Sequence, residues 1–384
     1  FITDVIQGGA GTSMNMNMNE VIANRANEIL GGELGKYDRC HPNDHVNYGQ
    51  STNDVVPTAG KLTVQLLIKD LLTDLQYLYD TLQAKGNEFD HVIKMGRTHL
   101  QDAVPIRLGQ EFRAFSQPVL RDIKRISSAV EELTYVNMGA TAVGTGINAD
   151  VEYVKNVVRI LSEVTGFDFK QSCDLVDGTR NLDSFVWLSS ALKTCAVNLS
   201  KTANDIRLMA SGPKAGLAEI GLPQQQPGSS IMPGKVNPVI PEVLNQVCFQ
   251  IFGNDITITK AAEAGQLELN VFEPVLFFNL FQSIEILKNG IMTFIENCLK
   301  GITAQEENCK YWVDRSVGII TALNPHIGYK NAAEIAKESI KTGVPVAQIV
   351  LQRGLLSKED LDIILNPFEM TKPGIPGKEI LKRK

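Results

Sequence analysis

Gly228-Ser-Ser-Ile-Met-Pro-Gly-Lys-Val-Asn-Pro238 sets two adjacent hydroxyls, one ammonium and one amide between apolar segments of helical period. Pro227, Pro233 and Pro238 forbid a continuous helix. Gly228 and Gly234 give the backbone conformations that a side chain would penalise. The stretch therefore reads as a loop between helices that carries chemistry. Ser229, Ser230 and the neighbouring backbone N–H groups can surround a carboxylate, Lys235 supplies positive charge and Asn237 an amide donor. A Ser-Ser pair taken alone describes a polar surface turn equally well.

Outward from the loop the apolar residues recur at helical spacing. Such periodicity runs from Ile240 to Leu299 on one side and from Phe185 to Met209 on the other. Pro241 sits where a helix can begin, whereas Pro274 falls inside the segment and is expected to kink or divide it. Leu62, Leu66, Leu71, Leu75, Leu78 and Leu82 predict a helix from Ala59 to about Phe89, and a further one runs from Leu108 to Val136. Long helices joined by short polar loops predict an elongated all-α bundle. Residues 139 to 184 read as a polar crossover with one short helix near Tyr153 to Thr165. Short helices follow from about Glu306, with Ser357 as an N-cap. The expected organisation is an N-terminal segment 1–50, a central long-helix domain 51–305 holding loop 228–238, and a small helical domain 306–384.

Composition excludes several classes of function. The 384 residues are 43% hydrophobic and 21% charged, with a formal net charge of −6, which leaves no basic footprint for nucleic acid. An anionic substrate must be drawn in locally. No apolar run has the ~18–20 residues that a membrane helix needs. Six cysteines occur without a CxxC pair, which favours free thiols and a cytoplasmic setting.

Four other segments carry candidate chemistry. Gly8, Gly9 and Gly11 precede Thr12 and an alternation of Met with Asn, read as a loop entering a helix near Asn19; no strand-GxGxxG-helix context supports a nucleotide site. His41 and His45 have a metal-ligand spacing, but Pro42 disfavours the helix it needs, so a polar turn is expected and no metal. Gln50-Ser-Thr-Asn-Asp54 stands before Pro57, which suits the first turn of a helix. Ser51, Thr52 and Asn53 there are either N-caps or donors for a carboxylate at the positive end of the helix dipole. Gly96-Arg-Thr-His-Leu-Gln-Asp-Ala-Val-Pro105 places His99 between two helices, either as a structural residue or as a group titrating near neutrality. Glu263 and Glu268, five apart, share a helix face poorly and are taken as structural charges.

GSSIMPGKVNP, GGAGTSMNMN, QSTND and GRTHLQDA together resemble the signature regions of the fumarase/aspartase superfamily, whose members eliminate water or an amine to leave fumarate. The resemblance runs from Gly8 to about Lys378. It implies a central domain of long helices with smaller flanking domains, a homotetramer and active sites assembled from three subunits. Family members carry a further N-terminal segment, so the sequence is expected to be a fragment. Where fumarases have a second anion site, an arginine three residues before the first histidine is replaced by Asp38. QSTND, EAGQLELN and Asn366-Pro-Phe-Glu-Met-Thr-Lys-Pro-Gly374 are more similar to the amine-eliminating branch than to fumarases.

What the resemblance implies is reversible deamination of L-aspartate without an organic cofactor, with divalent-cation activation left open. Ser229 is the expected general base, and His99 with Glu242 a catalytic pair. Thr12, Ser51, Thr52 and Ser230 are the expected donors to the carboxylate next to the reacting carbon. Lys235 and Asn237 take the other carboxylate, and Asn53, Thr98 and His99 lie near the amine. Class II fumarase is the alternative, followed by a non-catalytic or inactive truncated homologue.

Overall fold

The computed structural model describes residues 1–228 and 231–382. Helix dominates, and strand among the described residues is confined to three two-stranded pairs. In chain order the elements begin with α1 (Thr12–Ile29), α2 (Thr52–Glu88), the strands β1 (Ile93–Thr98) and β2 (Gln101–Arg107), α3 (Leu108–Glu132) and β3 (Tyr135–Val136). Next come α4 (Val151–Thr165), β4 (Lys170–Gln171), α5 (Leu175–Arg180), α6 (Asp183–Met209), β5 (Ile220–Gly221), α7 (Val239–Glu263) and α8 (Glu273–Asn297). The chain continues through β6 (Thr303–Ala304), α9 (Glu306–Arg315), α10 (Asn324–Ile327), α11 (Tyr329–Thr342), α12 (Val346–Gln352), α13 (Lys358–Ile364) and α14 (Lys378–Leu381).

Several boundaries differ from the sequence expectation, each for a local reason. Helix α1 starts at Thr12 rather than near Asn19, because Asn15, Asn19 and Asn27 lie at multiples of four and form a buried, hydrogen-bonded stripe. Asn19 Nδ2 donates to Asn47 Oδ1 at 3.1 Å, and Asn27 Nδ2 to the Cys40 carbonyl at 2.7 Å. The histidine segment forms one π-helical turn over Pro42–Val46, where the His41 ring accepts the Asn43 and Asp44 N–H groups. Pro57 lies inside α2, beyond its first turn. The carbonyl four residues back, that of Asn53, loses its helical partner and instead accepts Asn137 Nδ2 at 3.0 Å. The segment between α2 and α3, expected as a loop, is an antiparallel hairpin with Thr98 opposite Gln101 and a register shift between Met95 and Arg97. Helix α3 ends at Glu132 because Tyr135–Val136 pairs in parallel with Lys170–Gln171. The division expected at Pro274 occurs over residues 264–272, so Pro274 occupies the first turn of α8. Ser357 caps α13 by accepting the Asp360 N–H.

Two compact units are discontinuous in sequence: residues 1–77, 119–201 and 243–292 form one, and residues 78–118, 202–242 and 293–384 the other. Segment 1–50 thus belongs wholly to the first and 306–384 wholly to the second, while 51–305 is divided. In the first, Leu71, Leu75, Phe185, Leu188, Leu276, Leu280 and Ile284 are buried to 0% exposure. Phe185 meets Phe277 edge-on at 5.2 Å, and a Cβ on Gly60 would stand 2.4 Å from the Phe277 ring, so α2 and α8 approach here only because residue 60 is glycine. In the second, Phe89 and Phe112 pack edge-on at 5.2 Å beside Leu78 and Leu82. A separate cluster of Leu323, Ile335, Ile349, Val350, Leu361 and Ile364 closes the C-terminal helices.

Candidate active site

In the first unit two helix N-termini carry the expected donors. Thr12 is the first residue of α1, exposed, with Oγ1 donating to the Gly9 carbonyl at 2.7 Å after Gly11 at φ 85°. One turn on, Asn15 Nδ2 donates to Thr52 Oγ1 at 3.2 Å, which ties α1 to the start of α2. Ser51 caps α2 through a reciprocal pair: its Oγ accepts the Asn53 N–H at 3.2 Å, and its own N–H is donated to Asp54 Oδ1 at 2.9 Å. Capping and substrate binding were alternative readings of Ser51, and the capping geometry is present. Asn53 Nδ2 donates to the Ala142 carbonyl at 2.7 Å, so its amide orientation is fixed by that bond. Ser51, Thr52 and Asn53 are each half-buried.

In the second unit the hairpin β1–β2 presents Thr98 and His99 at its exposed tip. His99 and Leu100 turn the chain at φ 56° and 60°, both left-handed. Arg97, immediately before them, donates from Nη1 to Glu219 Oε1 at 2.6 Å. Glu219 is fully buried and lies 2.8 Å from Lys94 Nζ, which also contacts Glu111 at 2.7 Å. Burial would pull Lys94 down, but Glu111 and Glu219 outweigh it and hold the ammonium above the ordinary lysine range. Burial raises the Glu111 carboxyl in spite of Lys94.

The signature loop belongs to the same unit. Ser229 and Ser230 lie outside the described residues. Around them the loop stem is pinched: a Cβ on Gly228 would stand 1.9 Å from the Lys235 carbonyl oxygen. Lys235 N–H is donated to the Met232 carbonyl at 3.2 Å, with Gly234 at φ 82° between them. Lys235 and Asn237 border a cavity of about 860 Å³ whose other walls include Lys214, Gln305, Asn308 and Tyr311. Asn308 holds that wall by donating Nδ2 to the Leu217 and Ala218 carbonyls at 2.7 and 2.8 Å. Glu242, expected beside His99, has Arg207 Nη2 at 3.6 Å within the chain. Among the described residues no group of three or more His, Cys, Asp or Glu could hold a metal ion.

Sequence reasoning did not single out Asp54, Asn137, Arg97 or Glu219. Asp54 was hidden as the last letter of a motif read for its hydroxyls, although an acid three residues after Ser51 is the signal of a reciprocal cap. Nothing in the local sequence pairs Arg97 with Glu219, which are far apart in the chain.

Residues 1–253 match the Lyase family, and residues 319–372 match the Fumarase C C-terminus family. The chain is 60% identical to aspartate ammonia-lyase of Bacillus subtilis over all of its own length and 81% of that protein. It is 49% identical to aspartate ammonia-lyase of Escherichia coli, covering 98% of this chain and 79% of the other. Among solved structures, a fumarate lyase:delta crystallin from Brucella melitensis superposes with TM-score 0.94 at 49% identity, over 97% of this chain and 81% of that one. Class II fumarase from Schistosoma mansoni does so with TM-score 0.89 at 37% identity, over 96% and 80%. The chain therefore belongs to the fumarase/aspartase superfamily of lyases, in the branch of the aspartate ammonia-lyases.

Proposed function

We propose that this lyase removes ammonia from L-aspartate to give fumarate, reversibly, by general-base abstraction of a proton. What supports the substrate most is the 60% identity to aspartate ammonia-lyase of Bacillus subtilis over the full chain. The proton leaves the carbon beside the β-carboxylate, and its electron pair moves into that group as a dianionic aci-carboxylate. Collapse of this intermediate forms the double bond and expels the amine from the neighbouring carbon. A doubly charged carboxylate needs many preorganised donors, and Thr12, Ser51, Thr52 and Ser230 are assigned to it. Ser229 takes the proton; a serine can do so only with its alkoxide stabilised, which is the task of loop N–H groups and Lys235.

Lys235 and Asn237 are assigned to the α-carboxylate, and Asn53, Thr98 and His99 to the departing amine. Glu242 is the partner of His99, a pairing that would orient the ring and favour its charged form. Arg207 beside Glu242 within one chain is compatible with that pairing being made between subunits of a homotetramer, whose sites three subunits would complete. No organic cofactor is assigned. The free cysteines, four of them buried, fit a reducing compartment such as the cytoplasm, and no described helix is long and apolar enough to cross a membrane.

The deciding experiment follows fumarate absorbance with L-aspartate in one cuvette and L-malate in another. A rise with aspartate alone supports the reading, and a rise with malate alone makes the chain a fumarase. Mixing inactive Ser229→Ala and His99→Ala proteins tests the shared site: recovery of part of the activity supports it, and its absence in correctly sized tetramers counts against it.

A further inference from the structure

Asp54 belongs to none of the roles assigned above, yet it is fully buried at the start of α2, one residue after the proposed substrate-binding turn. Its carboxylate spans two separate segments. Oδ1 accepts the Ser51 N–H at 2.9 Å, and Oδ2 accepts the Thr141 N–H at 3.0 Å, with the Gly139 N–H directed at the same group. Two further bonds join the same segments. Asn53 Nδ2 reaches the Ala142 carbonyl, and Asn137 Nδ2 fills the Asn53 carbonyl that Pro57 leaves without a helical partner. Thr141 holds φ 56°, a conformation unfavourable for a branched residue, and in it delivers its N–H to Asp54.

The chemistry selects a carboxylate. Every group facing Asp54 in this clamp is an N–H donor, so an acceptor-only side chain satisfies them all, whereas an amide would turn an N–H toward another N–H. Burial pushes the Asp54 carboxyl up, and the N–H groups of Ser51, Thr141 and Gly139 pull it down. Tyr153, whose buried hydroxyl has no hydrogen-bond partner among the described residues, is pushed up to about 12 by burial and by the nearby Asp54 charge.

We infer that Asp54 is a positioning residue: it locks the Ser51–Asn53 turn onto the 139–142 loop so that the hydroxyls and amide of the turn meet the substrate as one preformed set. The inference rests on the assignment of that turn to substrate binding. It adds that loop 139–142, which contacts no substrate in the assignment, controls substrate affinity.

The test is steady-state kinetics of Asp54→Asn with L-aspartate, normalised to folded protein. Loss of preformed donors should raise KM about tenfold or more, while a purely structural role would lower the amount of folded enzyme and leave KM alone. Thr141→Gly keeps the N–H and suits the left-handed backbone, so its KM should stay within about twofold of wild type. A folded Asp54→Asn enzyme with wild-type KM overturns the inference. Asn53→Ala run in parallel isolates the underlying assignment: wild-type KM in that variant shows that the turn does not bind substrate, and the inference falls with it. Where Asp54→Asn does not fold, hydrogen exchange of the wild-type enzyme with succinate decides. Peptides covering 51–54 and 139–142 should gain protection together, and protection confined to 51–54 overturns the coupling.

Discussion

Arg97 Nη1 lies 2.6 Å from Glu219 Oε1, and this bond joins the hairpin that carries Thr98 and His99 to the segment leading into the signature loop. Glu219 is 0% exposed, and its two neighbours Ala218 and Ile220 line the cavity beneath Lys235 and Asn237. One buried carboxylate thus ties the strand leading to the hairpin tip to the cavity wall that Asn308 also holds. Removing this carboxylate would leave the Arg97 guanidinium without its acid partner and Lys94 with Glu111 alone, both largely out of water.

Glu219→Ala should therefore destabilise the protein by about 3–5 kcal/mol, the usual cost of leaving a buried ion pair half-made. Chemical or thermal unfolding measures it. Glu219→Gln, which keeps an acceptor for Arg97, should cost less. Equal stability of the alanine variant and wild type would remove the network from the fold's foundations.

Gly228→Ala should leave the fold intact and lower activity. The new methyl would stand 1.9 Å from the Lys235 carbonyl, so the stem of the loop must open and carry Lys235 and Asn237 with it. The measurement is kcat/KM with L-aspartate beside an unchanged circular dichroism spectrum. Wild-type kinetics would show that the pinch at Gly228 is not needed for turnover.

Much of this was legible in the sequence, and what was not has definite causes. The long helices announce themselves because Leu62, Leu66, Leu71, Leu75, Leu78 and Leu82 repeat at helical spacing, and all but the exposed Leu66 are buried or half-buried as that spacing requires. Helix α1 was misplaced because its Met/Asn alternation imitates a strand, while its real stripe is polar: Asn15, Asn19 and Asn27 are buried through hydrogen bonds rather than through apolar area. The hairpin β1–β2 was invisible because its turn is His99-Leu100 rather than a glycine-containing pair, and Gly96 breaks its alternation with a register shift. At the site, Lys235, Asn237 and the capping turn stood out by residue type. Asp54 and Glu219 did not, because their importance lies in whom they reach across the chain.

Two substitutions separate the roles proposed within the loop. Ser229→Ala removes the group assigned to proton abstraction and should abolish turnover in a folded protein. Lys235→Ala removes charge from the α-carboxylate subsite and one of the groups assigned to the Ser229 alkoxide, so it should raise KM and lower kcat as well. Near-normal kcat in folded Ser229→Ala would exclude it as the base, and an unchanged KM in Lys235→Ala would exclude the lysine from carboxylate binding.

The pair Lys61 and Glu273 predicts an unusual pH dependence of stability. Glu273, 1% exposed at the start of α8, is pushed up to about 8 by burial, against the opposing pull of Lys61. Lys61 is pushed down to about 8 by burial in spite of Asp183, Glu273 and Asp177, and donates to the Tyr135 carbonyl at 2.5 Å. Because the folded state holds the Glu273 proton more tightly than the unfolded chain, its stabilisation is complete below the ordinary carboxylate range. It is lost as pH rises through about 8, at roughly 1.4 kcal/mol per pH unit in the limiting case. Glu273→Gln imitates the protonated acid at every pH. The stability of wild type relative to this variant should therefore fall between about pH 5 and 8 and then level off, which parallel unfolding curves across that window measure. A difference that is constant with pH would show that Glu273 is ionised in the folded protein near neutrality, with Lys61 as its full counter-charge.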